Sequence, residues 1–243
     1  MPSILIFAPL PLANLSYAFQ SANFFSGKMI VIILMVMSVV AWTIMIAKVI
    51  EQRRMRFSAN RFLDQYRRQD YPLDLYLARR SRGSDPVTVV YNAACSALGL
   101  ELEHRKEGGL TDDEIRPTLT ALQVGAVRNA AEREIAEQNL TLEKFMGFLA
   151  IAVSASPMLG LLGTVWGVLE SFSAMGLHGA ANLTEVAPGI ASALMTTVVG
   201  LFVALPSAIG YNILAGGIKK MTVDMDNFAD EFASSIQRSY LRE

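Results

Sequence analysis

Seven serine and threonine side chains stand in two long uncharged stretches of this 243-residue chain: Ser154, Ser156 and Thr164 in the first, Ser192, Thr196, Thr197 and Ser207 in the second. A hydroxyl donates one proton and accepts through two lone pairs, so it can solvate an acid in its charged and in its neutral form without titrating itself. Any one of these hydroxyls can instead bond a carbonyl one turn earlier on its own helix. Grouped on one lumen they would make a small, mildly polar strip suited to a water-containing interior, and Thr197, one turn from Ala193 and three residues from Gly200, has the right neighbours for it. No Asp or Glu lies between Glu143 and Glu170 or between Glu185 and Asp224. An intramembrane carboxylate is the usual proton carrier, so if protons move here another polypeptide supplies that group.

Other chemistries fit poorly. A serine hydrolase needs a base beside Ser154, Ser156 or Ser192, and the two histidines, His104 and His178, fall outside both stretches. The single cysteine, Cys95, cannot form an internal disulfide, and with two histidines it makes no Cys/His zinc site; no metal, cofactor or enzymatic activity is expected. Twenty-one Lys and Arg against twenty-two Asp and Glu leave a formal charge of -1, so a basic field for nucleic acid is missing.

The elements that carry the hydroxyls follow from where charge is absent. The composition is 52% hydrophobic and only 18% charged. Residues 29–47, 145–169 and 186–218 are uncharged, and a bilayer core of about 30 Å takes about 20 helical residues. A charge-free run of 33 residues far exceeds the apolar stripe of a soluble helix. The reading is an all-α membrane protein with three transmembrane helices at 28–48, 145–169 and 186–218. Sixteen Lys and Arg lie from Lys48 to Lys144 and four follow the third span, whereas Lys28 alone precedes the first and none separates the second from the third. The positive-inside rule puts residues 1–27 and the 170–185 loop outside, and the 49–144 segment and the 219–243 tail in the cytoplasm. Residues 1–27 lack a basic n-region and carry Pro9 and Pro11, which favours an external segment over a secretory signal.

The cytoplasmic segments read as long helices extending from the membrane. Met55, Phe57, Phe62, Tyr66, Leu73 and Leu77 recur at roughly helical intervals, with an interruption near Tyr71-Pro72; a turn at 81–86 precedes a helix over 87–107. Thr111 and Glu114 have capping-box spacing, and the helix they start is expected to run unbroken into the second span, about 55 residues or ~80 Å. Past Lys219-Lys220, Met221, Met225, Phe228, Phe232 and Ile236 form a narrow apolar stripe. It calls for packing within the chain, for a ring of identical subunits, or for both.

Gly160, Gly163, Gly167, Gly189 and Gly200 allow close helix approach in lipid, where association rests on packing. Pro157, Pro188 and Pro206 each remove a backbone donor and can kink a helix, and Pro188 can alternatively start the regular part of the third span. Trp42 and Trp166 suit the two membrane interfaces.

The string Gly160-Leu-Leu-Gly-Thr-Val-Trp-Gly167, with Val186-Ala-Pro-Gly-Ile190, Thr197-Val-Val-Gly-Leu201, Pro206 and Tyr211-Asn212, resembles the MotA/TolQ/ExbB proton channel family. The tail Asp226-Asn-Phe-Ala-Asp-Glu-Phe232 and the short N-terminus are more similar to its TolQ branch than to its ExbB branch. The resemblance implies a bacterial inner-membrane stator subunit of a proton-motive-force-driven motor. It implies a pentamer enclosing two helices of a TolR/ExbD-like single-span partner whose aspartate carries protons. A TolA/TonB-like transducer would pass the work to the outer membrane, for envelope constriction or for import. Thr164 and Thr197 match the family's pore-facing threonines, with Thr196 and Ser192 on the same pathway. Where the family phrase reads PGIAEAL, this chain has Pro188-Gly-Ile-Ala-Ser192-Ala-Leu194, and Ser192 cannot titrate. A membrane scaffold that assembles a partner without conducting remains the alternative.

Overall fold

The computed structural model describes residues 25–69, 71–78, 83–107, 119–178 and 183–240. Its elements are helices: α1 Phe25–Tyr66, α2 Asp74–Leu77, α3 Pro86–Glu107, α4 Ala121–Glu143, α5 Met146–His178 and α6 Leu183–Tyr240. Three segments are long and apolar enough to cross a membrane, Gly27–Tyr66, Met146–Gly176 and Val186–Tyr240, as the charge-free runs predict. The chain divides into two compact units, one of Met1–Met45 with Phe145–Asn212 and one of Ile46–Lys144 with Ile213–Glu243.

The first unit is built from α5, the N-terminal part of α1 and the N-terminal half of α6. Ile30 and Leu34 of α1 pack on Val203 of α6, joined by Met37, Leu159 and Val199. Its outward side chains are apolar too: Val36, Val39, Leu162, Trp166, Phe202 and Leu205 are all exposed on the single chain. A water-facing protein would not present such a surface; hydrocarbon or other apolar helices suit it. Pro157 lies within continuous α5 and Pro188 and Pro206 within continuous α6. α6 begins at Leu183, so Pro188 does not start it, and α5 continues to His178.

The second unit has a core of ordinary protein kind. Met221, Met225, Phe228, Phe232 and Ile236, the stripe legible in the sequence, are all buried. Phe228 meets Phe62 and Tyr66 of α1 and Tyr91 of α3, and Phe232 meets Tyr66 and Tyr91, with ring centroids 5.2–6.3 Å apart. Packing within the chain therefore covers that stripe. Such ring pairs add about 0.5–1.5 kcal/mol each beyond the area they bury. The Tyr91 hydroxyl donates to the Pro72 carbonyl (2.8 Å) and accepts from the Tyr76 amide (3.1 Å), fastening the segment that carries α2. Burial pushes the Tyr66 hydroxyl and the Cys95 thiol each up to about 12, and raises Tyr91 further. On α1, Lys48, Gln52 and Arg56 fall one turn apart and donate to the carbonyls of Leu142, Leu214 and Gly217 at 3.0–3.2 Å.

One expectation about the helix leading into the second span needs correction. It is not unbroken: α4 ends at Glu143, Lys144 has ψ 131 and Phe145 has φ 69, after which α5 starts at Met146. Phe145 sits in the left-handed region, which costs a non-glycine residue about 1–2 kcal/mol. Neither residue is Gly or Pro, so no local signal announces the break. The proposed Thr111/Glu114 box and residues 1–24 lie outside the described residues. A capping box forms at the start of α4, where the Thr120 hydroxyl accepts from the Gln123 amide and the Gln123 side chain accepts from the Thr120 amide.

Candidate functional site

Within the first unit α5 and α6 approach so closely that their backbones touch. A Cβ added at Gly160 would lie 2.9 Å from the Thr197 Cα and 3.0 Å from the Thr196 carbonyl oxygen; one at Gly200 would lie 2.6 Å from the Ser156 carbonyl and 3.2 Å from the Gly160 Cα. One at Gly163 would run into the Thr196 side chain, and one at Gly189 into Ser171. Gly167 is buried in the same row as Gly160 and Gly163. The glycines expected to pack helices thus share one seam, and they do so because no side chain separates the two backbones.

That closeness lets hydroxyls cross between helices. The Thr196 hydroxyl lies 3.0 Å from the Gly160 carbonyl and 2.7 Å from its own Ala193 carbonyl. The Thr197 hydroxyl lies 3.0 Å from the Gly160 carbonyl and 3.3 Å from the Thr164 hydroxyl oxygen. The Thr164 hydroxyl donates to Leu161 at 2.7 Å. Each hydroxyl has one proton and a carbonyl has two lone pairs. In continuous α5 the Gly160 carbonyl also receives the Thr164 amide, so it cannot serve both threonines fully. Thr196 has Ala193 to fall back on. Thr197 has Thr164, whose own proton is committed to Leu161 and whose lone pairs are open.

Six of the seven hydroxyls therefore separate into two kinds. Ser154, Ser156 and Ser207 donate to carbonyls one turn back on their own helices. Thr196 and Thr197 reach the Gly160 carbonyl, and Thr164 joins them through the Thr197 hydroxyl. Of these Thr196 is buried between the helices, whereas Thr164 and Thr197 are half-buried at the open edge of the seam. Ser192 is half-buried one turn before Thr196, Pro157 and Pro206 are half-buried and Pro188 is exposed. Sequence reasoning missed the Gly160 carbonyl; its signal is the absence of a side chain at a position facing two adjacent threonines.

Among the described residues no group of His, Cys, Asp and Glu could hold a metal ion. The seam offers instead a donor and an acceptor of variable orientation, in an apolar setting whose described segments, 146–169 and 186–218, contain no acid.

Comparison with known proteins gives the setting of this seam. The MotA/TolQ/ExbB proton channel family matches residues 110–227, which contain both halves of it. A TolQ of the Tol-Pal system from Pseudomonas aeruginosa is 31% identical over 217 residues, 87% of each chain. A TolQ from Haemophilus influenzae is 42% identical over 113 residues, and this match spans about half of each chain, 46% of this one and 48% of the relative. The biopolymer transport protein ExbB of Salmonella typhimurium is 32% identical over 193 residues, 77% of this chain and 72% of the relative. The chain belongs to the MotA/TolQ/ExbB proton channel family. It is a multi-pass inner-membrane protein and a stator-type subunit of the TolQ/ExbB kind.

Proposed function

We propose that this subunit forms a sleeve, a homopentamer, around the transmembrane helices of a TolR/ExbD-like single-span partner, and that the Thr164–Thr197 pair is where the partner's aspartate is handled. The observation that carries the reading is the 3.3 Å hydroxyl pair at the open edge of the seam, in spans that hold no acid of their own. A protonated carboxyl passing the pair donates to the free lone pairs of Thr164. A carboxylate draws the Thr197 proton away from Gly160, whose carbonyl keeps its amide and Thr196 as donors. One small site thus meets both states of the carrier without moving a backbone. Thr196 holds the helices together, and Ser192 lies beside the pathway without a relay role; Gly160, Gly163, Gly167, Gly189 and Gly200 serve packing, and Pro157, Pro188 and Pro206 leave carbonyls one turn back without backbone donors.

Topologically, the N-terminus is periplasmic, and the second unit and the C-terminus are cytoplasmic. Proton flow drives motion of one component within the other, and a TolA/TonB-like transducer carries it to the outer membrane. Work of the Tol-Pal type, envelope constriction in division and envelope integrity, is the first reading. The ExbB relative, which covers 77% of the chain, supports an import-energising role as the second. Cysteine exchange tests the placement: Thr197→Cys should cross-link, under mild oxidation in membranes, to a cysteine beside the partner's aspartate. Cross-links only to cysteines on the outside of the particle would reject it.

A further inference from the structure

Where α1 leaves the apolar span, its exposed face changes character within one turn. Ile46 and Ile50 are 55% and 62% exposed, and at the next steps of the same face stand Arg53, Arg54, Phe57 and Arg61, all exposed. The opposite face, Lys48, Gln52, Ala59, Phe62 and Tyr66, is buried in the second unit. The spacing of three, one, three and four from Ile50 to Arg61 keeps these residues in one row.

We propose that this row seats an anionic phospholipid of the leaflet that α1 leaves at its C-terminal end, with the acyl chain along Ile46 and Ile50 and the phosphate between Arg53 and Arg54. Depth and direction both fit. Arg53 lies about 4.5 Å along the axis from Ile50, and side chains on a helix lean toward its N-terminus, here back toward the apolar span. The guanidinium fork matches phosphate oxygens in a way an ammonium does not. Arg53, Arg54 and Arg61 take no part in the ion pairs among the described residues; of the nearby acids Glu51 is held by Lys48 at 2.9 Å, and Asp64 lies a turn beyond Arg61. Arg61 folds over the Phe57 ring, 5.6 Å from its centroid, so the row ends in a cation stacked on an aromatic face. A protein partner on this row would need acids to answer three arginines, whereas the phosphate layer of the bilayer lies at the right depth already. The inference requires only that α1 spans the membrane, and it holds whichever way protons move.

The test uses the full chain reconstituted in phosphatidylcholine vesicles with a small fraction of spin-labelled phosphatidylglycerol. Selectivity for phosphatidylglycerol over spin-labelled phosphatidylcholine should fall about fivefold for Arg53→Gln or Arg54→Gln and about thirtyfold for both. For the double lysine variant, which keeps the charge and loses the fork, it should fall less than for the double glutamine variant, and it should stay unchanged for Arg133→Gln at an exposed position of α4. Unchanged selectivity in R53Q/R54Q, with helix content intact, overturns the proposal. So does a change in particle mass without a change in selectivity, which would make the row a contact between copies.

Discussion

Replacing Thr197 with valine removes one proton donor and leaves the volume of the side chain nearly unchanged. Thr197 reaches two acceptors, the Gly160 carbonyl at 3.0 Å and the Thr164 oxygen at 3.3 Å, and neither is orphaned by the change. Gly160 keeps Thr196 at 3.0 Å, and Thr164 keeps its bond to Leu161 at 2.7 Å. The seam should therefore lose no more than about 1 kcal/mol, the net worth of one such bond. A carboxylate at the pair loses more, because a hydrogen bond to a charged group is worth about 1.5–3 kcal/mol. At 1.36 kcal/mol per pKa unit, this raises the carrier's pKa at the pair by about 1–2 units and slows proton release there about 10- to 100-fold. Thr164→Val removes an acceptor of the neutral acid and should cost less, about 3- to 10-fold. Proton uptake into vesicles containing the complex, read with a pH-sensitive dye under an imposed potential, measures both. Flux within twofold of the parent in Thr197→Val, with the particle intact, would refute the reasoning, and dissociation of the particle would show that the hydroxyl serves packing.

Four further outcomes follow from the surroundings of particular residues. Gly200→Ala pushes a Cβ against the Ser156 carbonyl and should destabilise the spans by about 1–3 kcal/mol in a denaturation series, whereas Gly99→Ala, which meets open space on a helix, should stabilise by about 0.5–1 kcal/mol. Cys95, with its thiol pushed up to about 12, should resist maleimide at pH 8 in the folded chain and react promptly once unfolded. Because Cys95 and Tyr66 both hold their protons to higher pH folded than unfolded, the second unit should be at full stability below about pH 9 and lose it as pH rises toward about 12, followed by circular dichroism. Ser192→Ala should leave flux within about threefold, since its hydroxyl has no part in the Gly160 cluster; abolished flux would return Ser192 to the proton path.

Which features could be read from the sequence follows from the range over which each acts. Charge-free runs locate the spans because hydrocarbon excludes charge residue by residue, and the Met221–Ile236 stripe shows its face because a helix repeats every 3.6 residues. The break at Lys144-Phe145 has no such local cause: an ordinary aromatic takes φ 69 there. Thr120 with Gln123 has capping spacing in the sequence and forms the box that starts α4. The threonine pair was legible one residue at a time. That Thr164 and Thr197, 33 positions apart, meet across Gly160 depends on a close approach that only the opposed glycines permit.

The most direct measurement is proton flux through the reconstituted complex with the partner's intramembrane aspartate intact and then changed to asparagine, this subunit unaltered. If this chain is an acid-free sleeve around another polypeptide's titrating group, the asparagine complex assembles to the same mass and conducts nothing above lipid background. Equal flux from both complexes would mean that the protons travel by a route this chain supplies itself.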